Sequence, residues 1–439
     1  MPSAVSVLDR QQALAWYRLN RERSRALFAL LDDAAYYSRP IELRHPIVFY
    51  EGHLPAFSFN TVVKKGLGRP SIDPALETLF ARGIDPDENP HARAQQAGGR
   101  AGWPTRDVVR QFAEEADRQM LDALAHADVE QPGHPLLDRA EAVFAILEHE
   151  AMHQETLLYM WHRLPFEQKH RPAGYAPRVD GRAPSSEWID IPAGTATLGV
   201  DRDAIPFGWD NEFPAYRMDV ERFQIERDDV TNERFLEFVE AGGYDDPRWW
   251  RPADWDWIKS EGIAHPLFWE RLSSGWHWRG MFDLIPLPAS WPVYVSQAEA
   301  SAFARWRDAR LPTEAEFMRA AYGDGSGAAP APRPAVFDFT NWDPEPAGSH
   351  PDDASAFGVR DLIGNGWEWT STPFAPFPGF KASASYPEYS ADFFDGEHFV
   401  MKGASTATAR QLVRPSFRNW FRARYPYVYA TFRCARDQA

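Results

Sequence analysis

The sequence predicts an α+β protein in two domains, a four-helix bundle followed by a domain of short strands set in long irregular connections. Three observations predict it. The chain has 439 residues, beyond the size at which one hydrophobic core keeps growing. Apolar residues recur at helical spacing as far as Leu164 and then give way to short strand-like pieces. Eighteen tryptophans are concentrated in the second half, many beside Gly, Pro or Asp, which suits a loop-rich fold pinned by aromatic side chains.

Residues 9–33 read as the first helix, with Ala13, Trp16, Leu19, Ala26, Leu27 and Leu30 on one side. A second begins at Pro46, a residue suited to a first helical turn, and runs through His53 toward Val63. Pro55 must kink it or free a carbonyl. From Pro70 to Pro104 the chain is rich in Gly, Pro, Asp and Arg and reads as a long surface loop, of a length that is usually functional. Thr105 caps a third helix, with Asp107 placed to favour the dipole of its first turn. The fourth runs from about Leu137 to Leu164. Four helices with one long crossover predict an antiparallel bundle, whose interior is a usual place for a metal. Residues 171–186 read as a linker between a bundle domain, 1–170, and a second domain, 187–439. There WIDIPAGTATLGV and YRMDVERFQIERDDV read as strands, with helices near 231–240 and 296–306.

Charge and cysteine content narrow the function. A net charge of −16 with no basic block argues against nucleic acid as a partner. The single cysteine, Cys434, excludes an internal disulfide, a cysteine-built zinc site and two-cysteine redox chemistry, and suits a reducing cytoplasm. The N-terminus lacks a basic start followed by an apolar core, and no run approaches the roughly 20 apolar residues that span a bilayer. A soluble cytoplasmic protein with no membrane partner is expected.

The chemistry-bearing residues are histidines. His149 and His153, in LEHEAMHQETLLYM, stand four apart and stack on one helix face with apolar Ile146, Leu157 and Met160, so the pair points inward. Buried histidines need partners, and a shared metal supplies one. His-Glu-Ala-Met-His also fits the H-E-x-x-H zinc-protease pattern, with Glu150 as base. His53, in EGHLPAF on a neighbouring helix, offers a different third ligand. Three neutral nitrogens would leave open positions for oxygen and substrates.

Together GHLPAF and HxxxHQE resemble the metal-binding half of the ergothioneine sulfoxide synthases, which carry a DinB-like four-helix bundle. The second half resembles the formylglycine-generating-enzyme (sulfatase-modifying) fold, a C-type-lectin-like domain, through IPAGTATLG, DNEFP, DDVTNERFLEFV, RLPTEAEFMRAA, GNGWEWT and FRNWFRARYPYVYATFRCA. GNGWEWT and LPTEAEF read as framework, and one cysteine cannot reproduce the cysteine-dependent oxidation that names the fold. The resemblance implies Fe(2+) held by His53, His149 and His153, with Glu155 orienting a ligand imidazole or packing the helix. It also implies O2-dependent coupling of hercynine, the trimethylated betaine of histidine, to a sulfur or selenium donor. The proton donor implied is Tyr386 in SYPEYSADFF, with Tyr389 the alternative.

Departures from the ergothioneine pattern bear on the donor. In GGRAGWPTRDVV, Arg100 matches one arginine of the family's carboxylate clamp, while Trp103 stands where another is expected. Loss of that planar fork disfavours a carboxylated donor; a tryptophan suits the apolar face of a sugar. Asn419, Trp420 and Phe421 replace the family's Asn-Trp-Asp, and Met152 stands where a substrate-touching glutamine is common. Trp420 and Tyr427 are candidates to hold the trimethylammonium. These changes resemble the selenoneine synthases, which join hercynine to a neutral selenosugar. Ordinary drift, with Arg93 or Arg106 taking over the clamp for γ-glutamylcysteine or cysteine, is the competing reading. A non-catalytic ligand-binding module with a structural metal, and a zinc hydrolase or DinB-type thiol transferase, remain from other classes.

Overall fold

The computed structural model describes residues 7–81, 102–323, 333 and 335–437. The chain forms two compact units, one of Met1–Gly174 with Ala384–Tyr386 and the other of Tyr175–Ser383 with Pro387–Ala439. The boundaries read from the sequence place Ala384–Tyr386 in the second domain; in the structure this short segment packs with the bundle, where Ser385 Oγ donates to Glu141 at 3.2 Å.

The first unit is the four-helix bundle. Helix α1 spans Arg10–Ala29, capped by the Asp9 carboxylate. Helix α2 spans Ile47–Ser58, and beyond Ser58 the chain continues in π-turns from Phe59 to Gly66. The disturbance expected of Pro55, whose missing N–H deletes a helical bond, is followed one turn later by this widening rather than by a break. A short α3, Pro74–Leu79, interrupts the stretch read as continuous loop, held by Asp73 at its cap and by Glu77, which accepts from the Ile72 and Asp73 amides and pairs with Lys64. Helix α4 covers Arg106–His126, with Thr105 at its N-cap through the backbone alone. Helix α5 covers Glu141–Arg163. It starts later than Leu137 because Arg139 and Ala140 are left-handed, φ 53° and 55°.

The buried face of α1 differs from the expected one. It comprises Ala13, Leu14, Tyr17, Asn20, Arg21, Ser24, Leu27 and Phe28, whereas Leu19 is 40% exposed. Polar residues occupy the middle of the stripe because they meet polar partners. Arg21 is bound to Asp117 of α4 and, at 2.8 Å, to Glu150 of α5; Tyr17 and Ser24 donate to the same two carboxylates. Phe59, Val62, Val63, Met120, Leu124, Val143, Ile146 and Leu147 fill the apolar core.

The second unit has strands β1 (Trp188–Ile191), β2 (Gly194–Leu198), β3 (Tyr216–Val220), β4 (Phe223–Glu226), β5 (Trp269–Leu272), β6 (Gly275–Arg279), β7 (Leu284–Pro286), β8 (Gly366–Pro373), β9 (His398–Ala404), β10 (Asn419–Arg422), β11 (Ala430–Thr431) and β12 (Ala435–Asp437). They make small sheets ordered β1-β4-β12, β2-β3, β5-β6-β7 and β10-β9-β8-β11, the last with β11 parallel to β8. Helices α6 (Asn232–Glu240), α7 (Pro252–Ser260), α8 (Gln297–Trp306) and α9 (Glu314–Tyr322) lie among them. The motifs read as framework are framework. Thr313 and Glu316 form a reciprocal cap on α9. Glu368 and Asp229 enclose the fully buried Arg433, and Trp369 Nε1 donates to the Val295 carbonyl. Among the described residues no helix is long and apolar enough to cross a membrane.

Candidate metal centre

The two predicted metal-bearing helices bring their histidines together inside the first unit. Nε2 of His149 lies 3.3 Å from Nε2 of His53 and 3.1 Å from Nε2 of His153, and one ligand atom from each lies within 4.8 Å of the others. Bonds of about 2.1 Å to one ion, at right to tetrahedral angles, set donor nitrogens about 3.0–3.4 Å apart. The spacing therefore fits three imidazoles around a single ion.

Protonation fits as well. His53 Nδ1 is 2.7 Å from the Phe80 carbonyl, which only accepts, so Nδ1 carries the proton and Nε2 keeps its lone pair. Burial pushes the pKa of His53 down to about 4, against that hydrogen bond. Burial, and then the neighbouring imidazoles, hold His149 well below the usual range; His153 is lowered by burial, then by His53, Arg44 and His45. Neutral imidazole is the form that binds a metal.

The rings are clamped by aromatics that the sequence reading did not single out. Phe57 stacks on His149 at 3.6 Å between centroids, and Phe49 on His53 at 4.9 Å. Both stand four residues from His53, a spacing that could have marked them. Phe80 gave no local signal. It approaches because residue 52 is glycine: a Cβ there would stand 2.5 Å from the Phe80 ring. The histidine oriented through its second nitrogen is thus His53, by a backbone carbonyl. Glu155 is buried, and Nδ1 of His149 and of His153 has no hydrogen-bond partner among the described residues, so Glu155 orients neither imidazole through that nitrogen.

Glu150 is turned away from the histidines. Its carboxylate accepts from Arg21 at 2.8 Å and Ser24 at 2.7 Å on α1. A zinc-protease base would have to face the ion and its water, so the H-E-x-x-H string here is a coincidence of spacing.

The remaining predicted residues fall in both units. Tyr386 belongs to the first, its ring 5.4 Å from Phe57 and 6.3 Å from His149. Trp103 is buried against the edge of Phe49 at 6.4 Å, and half-buried Met152 shares a helix face with His149 and His153 by spacing. Arg106 is committed to Asp33 at 2.7 Å and Glu51 at 3.4 Å, with its guanidinium over Tyr36. Arg100 and Arg93 lie outside the described residues. In the second unit Tyr389 is buried, stacked on Trp209 at 3.8 Å and edge-on to Trp420. Trp420 lies flat on Phe374 at 4.2 Å, and Asn419 Oδ1 accepts from the Trp420 amide. Phe421 stacks on Tyr425, which meets Tyr427 edge-on.

This pairing of a histidine-bearing bundle with a second unit of short strands in small sheets defines a recognisable class. Residues 17–157 match the DinB superfamily, and residues 176–438 match the sulfatase-modifying factor enzyme 1-like domain. The chain is 32% identical to a hercynine oxygenase of Mycolicibacterium smegmatis, covering 95% of this chain and 97% of that protein. It is 33% identical to a hercynine oxygenase of Mycobacterium tuberculosis with the same coverage. Ergothioneine biosynthesis protein 1 of Neurospora crassa is 28% identical over 99% of this chain and 58% of its own length. The chain belongs to the ergothioneine sulfoxide synthase family.

Proposed function

We propose that the protein is an iron(II)- and O2-dependent synthase that joins the imidazole carbon of hercynine, between the two ring nitrogens, to the selenium of a selenosugar. The observation that carries the synthase reading is the convergence of three neutral imidazoles in a chain of this family. Iron bound by His53, His149 and His153 would supply O2 activation and a common anchor for the reactants. With an oxide as product the balance closes. The imidazole C–H and the Se–H give up two hydrogens, one oxygen atom of O2 goes to selenium, and the other leaves with those hydrogens as water. The four electrons come in equal parts from carbon–selenium bond formation and from oxidation of selenium.

The chain's own residues hold the reactants in register and move a proton. Tyr386 is the proton donor in this reading, since it stands with the histidines' unit, whereas Tyr389 is packed between tryptophans. Trp420 and Tyr427 are the aromatic candidates for the trimethylammonium, and Asn419 and Phe421 the candidates for other substrate contacts, as the family resemblance implies. Trp103 and Met152 favour a neutral donor, and the engagement of Arg106 with Asp33 and Glu51 supports the same choice, because one of the two arginines that could replace the clamp is occupied. The second reading is the sulfur version with γ-glutamylcysteine or cysteine.

Iron-loaded protein given hercynine, O2 and each donor in turn tests both. A carbon–selenium product is expected with the selenosugar. Product with the thiol peptide alone would sink the selenium reading, and turnover with zinc in the absence of O2 would sink the synthase.

A further inference from the structure

Three rings, those of His45, Phe49 and His53, stack in succession. His45, in the connection before α2, lies face to face with Phe49 at 4.0 Å, and Phe49 faces His53 at 4.9 Å. His45 is therefore one ring removed from the ligand imidazole and cannot share its ion. It is 6% exposed, yet neither ring nitrogen has a hydrogen-bond partner among the described residues. Trp103 meets the edge of the same Phe49, and its indole nitrogen is likewise buried and unpartnered among them. Unpaired buried polar groups are costly and rare. Two against one phenylalanine, beside the metal histidines, call for an occupant that pairs them.

We infer that His45 and the Trp103 indole hydrogen-bond the hydroxyl groups of a neutral, polyhydroxylated donor; the inference rests on the synthase reading above. Burial, with His53, Arg39 and Arg44 nearby, keeps the His45 imidazole neutral. One of its nitrogens then donates and the other accepts, and the indole donates. A hydroxyl does both and satisfies such a set. A carboxylate only accepts and would leave the imidazole lone pair without a donor. The nearby arginines are otherwise engaged: Arg39 binds the Arg44 and Glu42 carbonyls, and Arg44 lies over Tyr159.

The test is His45→Phe, which keeps the ring and the stack and removes both nitrogens. Donor binding is read by anaerobic calorimetry on iron- and hercynine-loaded protein, so it does not depend on turnover. The selenosugar Kd should rise about tenfold, as for the loss of one or two hydrogen bonds, with iron content unchanged and hercynine Kd within about twofold. An unchanged selenosugar Kd, or an equal rise for hercynine, overturns the inference. If the wild-type protein binds only the carboxylated thiol, the donor class falls in both readings; His45 keeps a donor-binding role only if the thiol Kd shifts. Absence of product under O2 despite the Kd shift would instead defeat the synthase reading alone. Should His45→Phe misfold, His45→Gln, with one amide donor and one acceptor, gives a smaller rise of about threefold.

Discussion

Replacing Gly52 by alanine should loosen the metal centre although no ligand changes. Glycine inside a helix costs about 1 kcal/mol relative to alanine, so Gly52→Ala would ordinarily stabilise α2. The added methyl, however, would stand 2.5 Å from the Phe80 ring, where carbon atoms prefer about 3.5–4.0 Å. Relief requires roughly 1 Å of movement. Phe80 is fully buried against Phe49 and Phe112, so the ring has little room to turn, and displacing the residue draws its carbonyl away from His53 Nδ1, now 2.7 Å distant. Overpacking of this kind costs about 1–3 kcal/mol, which outweighs the helical gain. Loss of the bond that orients a ligand imidazole typically weakens metal binding about 10- to 100-fold. Denaturant unfolding of the metal-free protein and anaerobic iron titration read the two effects separately. A further Phe80→Leu change, which shortens the clashing side chain, should recover part of both. Wild-type iron affinity in Gly52→Ala, or a gain in stability, would refute the reasoning.

Other consequences are equally specific. Glu150→Gln should keep metal and activity, since the carboxylate faces Arg21 and Ser24; activity lost with metal retained would reinstate Glu150 as an acid–base group. Arg21→Ala leaves Glu150 and Asp117 buried without their shared cation and should destabilise the first unit by about 3–5 kcal/mol in denaturant unfolding; a loss under about 1 kcal/mol would contradict the importance of these ion pairs. Trp103→Arg should improve binding of γ-glutamylcysteine and weaken that of the selenosugar; no gain for the thiol peptide, measured by calorimetry, would show that the tryptophan does not stand in for a clamp. In the second unit, burial and then the charge of Asp361 push the Asp353 carboxyl up to about 8. The folded state thus holds a proton that the unfolded chain releases near pH 4, and the associated stability is present below that pH and lost as pH rises through about 8. Asp353→Asn cannot lose that proton, so between about pH 6 and 9 its urea midpoint should fall less than that of the wild type; parallel profiles would count against it.

Helix periodicity made the bundle and the inward pair His149 and His153 legible, because spacing of four is a local property. Other features escaped for identifiable reasons. The inner face of α1 was misjudged because Asn20, Arg21 and Ser24 are polar, and only Asp117, Glu150 and Gln154, far along the chain, make them residents of the interior. His53 needed the resemblance as well as the pattern, and its orienting carbonyl at Phe80 could not be read at all, since nothing local ties residue 80 to residue 52. The start of α5 was misplaced because apolar spacing says nothing of the left-handed turn at Arg139 and Ala140.

Helix α5 carries two polar systems that a linear motif conflates. Successive residues differ by about 100° around a helix, so His149 and Glu150 reach different neighbours: one meets His53 of α2, the other Arg21 of α1. Gln154, four residues beyond Glu150, joins the α1 side through Ser24 and the Asn20 carbonyl, while His153 stays with the imidazoles. The buried carboxylates thus keep a guanidinium for company, and among the described residues the three-imidazole group contains no carboxylate. A divalent ion held by neutral ligands alone retains its full charge toward whatever else it binds. Water and donor groups of the reactants, rather than a carboxylate of this cluster, would then complete its shell. By this argument Arg21 would serve a metal at the three imidazoles from the far side of α5, by giving Glu150 a partner other than the ion.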